Sequence, residues 1–337
     1  MTTCRLIPVL LACSVLSHAV AGPTAAEAAS GSYRFTTPQT AQSIGEAAAM
    51  VKVVGAVAQT SFDIPTATLT FSGTVESVAL AQWVLPEIDK ATGDGALHEY
   101  RLPSGDMARV VFVQNTGKPQ EMQELLTVAR TVADVQKVFA INSNHALVMR
   151  GAEWEVLFSQ WIIDQLNLPA GQKPDTTPRE FTVGGPDFRG LGHGARVNFL
   201  AGRTSPLQMQ ELLTVVRTVG LVQKIFSYSS GHALVLRAGD TDLQRAEWLI
   251  QQLDLPAGHP AGTGTFTAPT GDDLTRIFSV PNANPQWMQG ALNSIRSELN
   301  IKKTFSTTTP ANVIVRGTAD QVAAAAAWMA SHNALTE

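Results

Sequence analysis

Residues Arg109 to Gly171 and Arg196 to Gly258 repeat one another at a constant shift of 87, without a gap. Met122-Gln-Glu-Leu-Leu-Thr-Val128 returns as Met209-Gln-Glu-Leu-Leu-Thr-Val215, and His145-Ala-Leu-Val148 returns as His232-Ala-Leu-Val235. Self-similarity of this length marks a duplicated folding unit, so every pattern inside it can be read twice. Two more diverged copies flank the pair. Leu69-Thr-Phe-Ser-Gly73 and Trp83 match Leu147-Val-Met-Arg-Gly151 and Trp161 at a shift of 78, and Arg276-Ile-Phe, Asn284-Pro285, Arg296, Phe305 and Val313-Ile-Val-Arg316 follow the order of the third copy. The 337 residues exceed one ordinary core, and four tandem units account for them.

Within a unit the hydrophobic period switches in a fixed order. Arg109-Val-Val-Phe-Val113 reads as a strand. Pro119 opens a helix whose apolar residues Met122, Leu125, Leu126, Ala129 and Val132 keep the i, i+3, i+4, i+7 spacing. In the third copy Ser205, Pro206 and Gln208 supply an N-cap, a first-turn proline and a capping-box partner, and Asn284-Pro285 opens the fourth copy's helix in the same manner. Lys137-Val-Phe-Ala-Ile141 and Ala146-Leu-Val-Met149 are strands joined by the polar loop Asn142-Ser-Asn-His145, and a helix from about Glu153 to Leu168 closes the unit. The expected fold class is therefore α+β: four small βαββα units, each a short sheet covered by two helices.

Gly/Pro-rich stretches separate the units, at 90–95, 169–194 and 256–271. They place the first unit at 32–92 behind a flexible 22–31, the second at 98–170, a linker at 171–192, the third at 193–256, a linker at 257–272 and the fourth at 273–335. Glu99-Tyr-Arg-Leu102, Glu180-Phe-Thr-Val183 and Thr265-Phe-Thr-Ala268 could each form a short strand inside them. Residues 1–21 have the form of a secretory signal: Arg5, an apolar run from Leu6 to Leu16, and Ala19-Val20-Ala21 before Gly22. The expectation is cleavage after Ala21 and a product in the periplasm or outside the cell. Leu10-Leu11-Ala12-Cys13 offers lipoprotein processing as the alternative. Both cysteines lie in this segment, which leaves the mature chain without thiol or disulfide chemistry, and no later run is long enough for an integral membrane helix.

The strand–helix–strand–strand–helix order, carried by Arg109-Val-Val-Phe, the helix from Pro119, Val138-Phe-Ala-Ile, Ala146-Leu-Val-Met-Arg-Gly151 and Trp161-Ile-Ile-Asp-Gln-Leu166, resembles the short periplasmic N-terminal domains of secretins. These NolW-like, KH-like repeats belong to type II and type III secretion and pilus systems. Trp248-Leu-Ile-Gln-Gln-Leu-Asp254 is similar to the family's usual ending. The resemblance implies a KH-like fold, side-by-side self-association and a protein partner in the envelope. The sequence shows no amphipathic β-rich segment after the fourth unit, so the expectation is not a channel.

The second helix carries the most telling pattern. A stripe at Val78, Ala81, Leu85, Ile88 recurs at Val156, Ser159, Ile163, Leu166, at Leu243, Ala246, Ile250, Leu253 and at Val322, Ala325, Met329, and it winds along one side of a helix. Trp83, Trp161 and Trp248 fall on the opposite side, with Leu80, Leu157 and Phe158 beside the first two and Gln244 and Arg245 beside the third. An indole placed repeatedly away from its own core serves either packing between repeats or a partner. Leu157, Phe158 and Trp161 are the foremost candidates.

Recurring arginines form a second set: Arg130, Arg217 and Arg296 in mid-helix, and Arg150, Arg237 and Arg316 at a strand end. The strand-end residues precede Glu153, Asp240 or Asp320, which predicts solvated ion pairs, with an acidic partner as the alternative. His145 and His232 read as turn residues, since neither has company for a metal site. Gly190-Leu-Gly-His-Gly194 lacks the strand–turn–helix setting of a dinucleotide fingerprint, and no Gly-x-Ser-x-Gly elbow or Walker loop occurs. A formal charge of −4 and the absence of a Gly-x-x-Gly loop between helices argue against nucleic acid. The sequence thus predicts an exported, non-enzymatic interaction or scaffold protein without a cofactor. Two alternatives stand: an exported hydrolase or ligand-binding protein with its site between repeats, or a degenerate secretin remnant.

Overall fold

The β-branched runs form strands and the proline-started runs form helices, in one order repeated four times. The computed structural model describes residues 28–90, 97–169, 172, 174–181, 194–255, 262–281 and 283–332. The predicted signal at 1–21, most of the 171–192 linker and, with its end, Gly190–His193 fall outside them. The first unit consists of β1 (Ala28–Arg34), α1 (Ala41–Val53), β2 (Gln59–Asp63), β3 (Thr68–Thr74) and α2 (Val75–Ile88). The second has β4 (His98–Arg101), β5 (Met107–Phe112), α3 (Pro119–Thr131), β6 (Lys137–Ile141), β7 (Ala146–Gly151) and α4 (Glu153–Leu166). The third repeats this with β8 (Arg179–Phe181), β9 (Gly194–Phe199), α5 (Pro206–Thr218), β10 (Lys224–Tyr228), β11 (Ala233–Ala238) and α6 (Asp240–Leu253). The fourth has β12 (Thr265–Thr267), β13 (Leu274–Ser279), α7 (Pro285–Ser297), β14 (Lys303–Thr308), β15 (Ala311–Gly317) and α8 (Ala319–Ser331).

The four sheets run β1-β3-β2, β4-β5-β7-β6, β8-β9-β11-β10 and β12-β13-β15-β14, all antiparallel. Units two to four thus carry one strand more than βαββα, drawn from the segments between the repeats. Ala28 to Gly31, the described part of the stretch read as flexible, instead pair with β3. Its small residues give no alternating hydrophobic signal, and Gly31 is required there: a Cβ would come within 2.7 Å of the Phe71 ring.

Local chemistry starts the helices. Ser205 Oγ accepts from the Gln208 amide at 3.3 Å while Gln208 Oε1 accepts from the Ser205 amide at 3.4 Å. Asn284 Oδ1 accepts from the Trp287 amide at 2.8 Å. The hairpin between β6 and β7 turns through Asn142–Asn144 with His145 left-handed at φ 51°, and His232 repeats this at φ 48°. The second-helix stripe is buried in every copy against its own sheet.

The opposite face of each later sheet is covered by the unit before it. Helix α1 packs on β6, α3 on β10 and α5 on β14, so the first helix of one unit lies between its own sheet and the next unit's sheet. Hydrophobic clusters accordingly run across unit boundaries rather than stopping at them.

Candidate functional site: the surfaces between units

The three junctions share one construction, and its apolar element is a row of three residues across the outer sheet face. Val110, Val148 and Phe139 are paired neighbours on β5, β7 and β6. They join the cluster of the first unit's Met50 and Val54. Val197, Val235 and Phe226 form the same row in the third unit and join Val128 and Val132 of the second. Ile277, Ile314 and Phe305 do so in the fourth, with Val215 and Val219 of the third. Period-two alternation brings such a row to one face, where the neighbouring helix removes it from water.

A glutamate at the sixth position of α1, α3 and α5 adds direction. Glu46 accepts from the Ser143 amide at 3.0 Å, Glu124 from the Ser229 amide at 2.9 Å, and Glu211 from the Thr308 hydroxyl at 2.5 Å. Each carboxylate caps the hairpin of the following unit. From the other side an arginine reaches back. Arg150 donates to Glu76 at 2.7 Å, Arg237 to Asp134, and Arg316 to the carbonyls of Val219 and Gly220 at 2.9 and 3.4 Å. Burial alone would raise the Asp134 pKa, but hydrogen bonds and charge from Lys224 and Arg237 outweigh it and hold the carboxyl below its ordinary range. In the fourth unit the carboxyl of Asp273 is lowered against the same burial by Arg316 and Arg245.

This corrects the expectation for Arg150, Arg237 and Arg316. They are buried and pair with Glu76, Asp106, Asp134 and Asp273 rather than as solvated pairs with Glu153, Asp240 or Asp320. Glu153 instead meets Arg101 at 2.7 Å. The sequence neighbour was misleading because the strand-end side chain points out of the outer sheet face, toward the unit before. Arg130, Arg217 and Arg296 act within their own units, donating to the carbonyls of Val138, Ile225 and Thr304 at 2.9, 3.2 and 3.0 Å and so tying each first helix to the strand after it.

The candidate aromatic residues sit at a second contact between units. Trp83 stacks on Tyr100 of β4 with centroids 5.4 Å apart, and Leu80 is buried with Leu102 and Ala108. Phe158 and Trp161 both stack on Phe181 of β8 at 5.0 Å, while Leu157 remains 39% exposed. Trp248 lies 6.0 Å from Phe266 of β12. Arg245 occupies the place of Phe158, fully buried, with its guanidinium 5.2 Å from the Phe266 ring and 2.8 Å from Asp273. The strands between repeats therefore exist largely to receive these side chains. Amphipathic periodicity alone does not single out the glutamates at position six, although Glu124 and Glu211 stand inside the repeated Met-Gln-Glu-Leu-Leu-Thr-Val segment.

One cleft lies at the junction of the second and third units, about 220 Å³ between Thr116, Glu121, Asn167, Tyr228 and Ser230. Glu121 there accepts from the amides of Gly117 and Lys118 at 3.0 and 3.3 Å, which is helix capping. Burial pushes the Tyr228 phenol up to about 12. Among the described residues no group of three His, Cys, Asp or Glu could hold a metal, and no helix is long and apolar enough to cross a membrane.

No protein-family model matches the chain, and no curated protein matches it significantly. Solved structures similar to it include a dimeric mutant of the N-terminal domain of the secretin XcpQ from Pseudomonas aeruginosa, at 17% identity over 46% of this chain and 64% of that one, TM-score 0.19. The secretin GspD in its complex with the pilotin AspS from ETEC is similar at 14% identity over 90% and 55% of the two chains, TM-score 0.17. ExeD of Aeromonas hydrophila is similar at 12% identity over 87% and 60%, TM-score 0.17. The chain thus spans less than two thirds of the length of each of these three.

Proposed function

We propose that this protein is an exported, non-enzymatic scaffold of the bacterial envelope that works by holding a protein partner, or further copies of itself, against a stack of secretin-like units connected with a secretion or pilus assembly. The observation that carries the reading is the threefold repetition of one docking arrangement: a glutamate, an apolar row and a reaching arginine at each junction. Such an arrangement fixes the units relative to one another, which suits presentation of surface along a stack. Support for export comes from the pattern of residues 1–21, and support for the envelope system comes from the residue order that resembles secretin domains.

The exposed Leu157, on the outer side of α4 beside the Phe158–Trp161 stack, belongs to the side surface such a partner would use. The test is capture from envelope extract with the purified chain, combined with light scattering after size exclusion. Retention of a secretion-system component or a defined oligomer is expected, with retention weakened by Leu157→Asp. A strict monomer that holds no protein would overturn the proposal.

A further inference from the structure

The docking arrangement is incomplete at both ends of the stack, and in complementary halves. On the outer face of the first unit, the row that is Val–Val–Phe or Ile–Ile–Phe elsewhere is Ser32, Thr70 and Ser61, paired in the same register. Ser72 stands where the later units carry Arg150, Arg237 and Arg316. All three residues of the row are exposed, and with Ser30 and Gln59 they line a shallow hydroxyl-rich concavity. The first unit thus lacks the receiving half of the junction.

The fourth unit lacks the giving half. Position six of α7 is Gly290, where the other first helices have Glu46, Glu124 and Glu211. Position ten is Ser294 against Met50, Val128 and Val215, and the residue closing the helix is Glu298 against Val54, Val132 and Val219. The second helix has changed with it: Ala324 and Ala327 stand where Phe158 and Trp161, or Arg245 and Trp248, meet the next strand. The fourth unit's own indoles, Trp287 and Trp328, turn to each other at 6.3 Å and pack on their own core. Each difference removes a docking group: Ser294 and Glu298 put polar atoms where apolar side chains dock elsewhere, and Gly290, Ala324 and Ala327 leave no side chain long enough to reach a neighbour.

We infer that the stack is self-terminating: its first and fourth units are polar caps, so copies do not add end to end through the junction used inside the chain. Terminal repeats of a stacked array need such an outer face, since an exposed docking row would otherwise recruit the next copy without limit. Association of copies, where it occurs, then goes through the sides of the stack. This goes beyond the scaffold reading, which would survive its failure.

Rebuilding the two halves tests it. One variant carries Ser32→Val, Ser61→Phe and Thr70→Val. The other carries Gly290→Glu, Ser294→Val and Glu298→Val, and a Cβ at Gly290 meets open space. In sedimentation velocity each variant alone should keep the parent's mass, the mixture should move toward the sum of the two, and a chain carrying both sets should grow with concentration. A mixture of folded variants that stays at the separate masses would overturn the inference. The parent provides the control against misfolded variants: its mass distribution should not change on introducing Thr70→Arg, and parental end-to-end chains that this substitution dissolves would overturn the inference as well.

Discussion

At the residue scale, the junctions rest on single side chains whose partners lie about a hundred positions away in sequence. Glu124 accepts from the Ser229 amide, and Glu124→Ala should destabilise the chain by about 1–2 kcal/mol in urea titration, because a charged acceptor is lost from a half-buried amide. Asp134→Ala removes the carboxylate that faces Arg237, whose side chain is fully buried, and should cost on the order of 3 kcal/mol. The same site sets a pH dependence. The folded Asp134 and Asp273 carboxyls lie below their ordinary value of 3.8, so their stabilisation is fully present above that value and is lost as pH falls through the lowered folded values. Thermal melting should therefore show stability declining below about pH 4, and Asp134→Asn should flatten that limb. A melting temperature equally acid-sensitive in the variant would remove Asp134 from the explanation. Arg237 was visible in the sequence as one of a recurring set and Glu124 stood inside the repeated segment, but Asp134 and Asp273 do not recur, and none of the pairings was visible. A local ion pair between Arg150 and Glu153 looks natural on paper, and only the direction in which a strand end faces decides against it.

At the scale of elements, the repeat announced its strands and helices because each obeys its own hydrophobic period. The caps Ser205 and Asn284, the buried stripe of α6 and the hairpin at His145 are consequences of local sequence, and they fold where the spacing puts them. The short strands β4, β8 and β12 were harder to read, with three or four residues each, since they exist by pairing with a neighbour and by covering an indole. Phe158 is wholly buried against Phe181, and Phe158→Ala should cost about 3–4 kcal/mol, measured by chemical denaturation of the purified chain without any partner. Little change would mean that Phe158 serves a partner instead of the junction. Trp161→Ala should cost less, because its ring is only partly buried in that cluster.

At the scale of the molecule, the cores belong to the stack as much as to the units. Removing residues 28–90 would uncover Val110, Val148 and Phe139 to water, so the shortened chain should melt lower and associate through that face in size-exclusion chromatography. A shortened chain as stable and as monodisperse as the parent would show that the units fold independently of their neighbours. The number of units, their α+β order and the inner face of every second helix were determined by the sequence itself, because periodicity and capping act over a few residues and repeat when the chain repeats. Which unit covers which, why an indole leaves its own core, and why Glu124 and Arg237 matter were decided only by tertiary structure. Docking joins residues that no period links, and the energy of burying an outer face depends on what arrives to cover it.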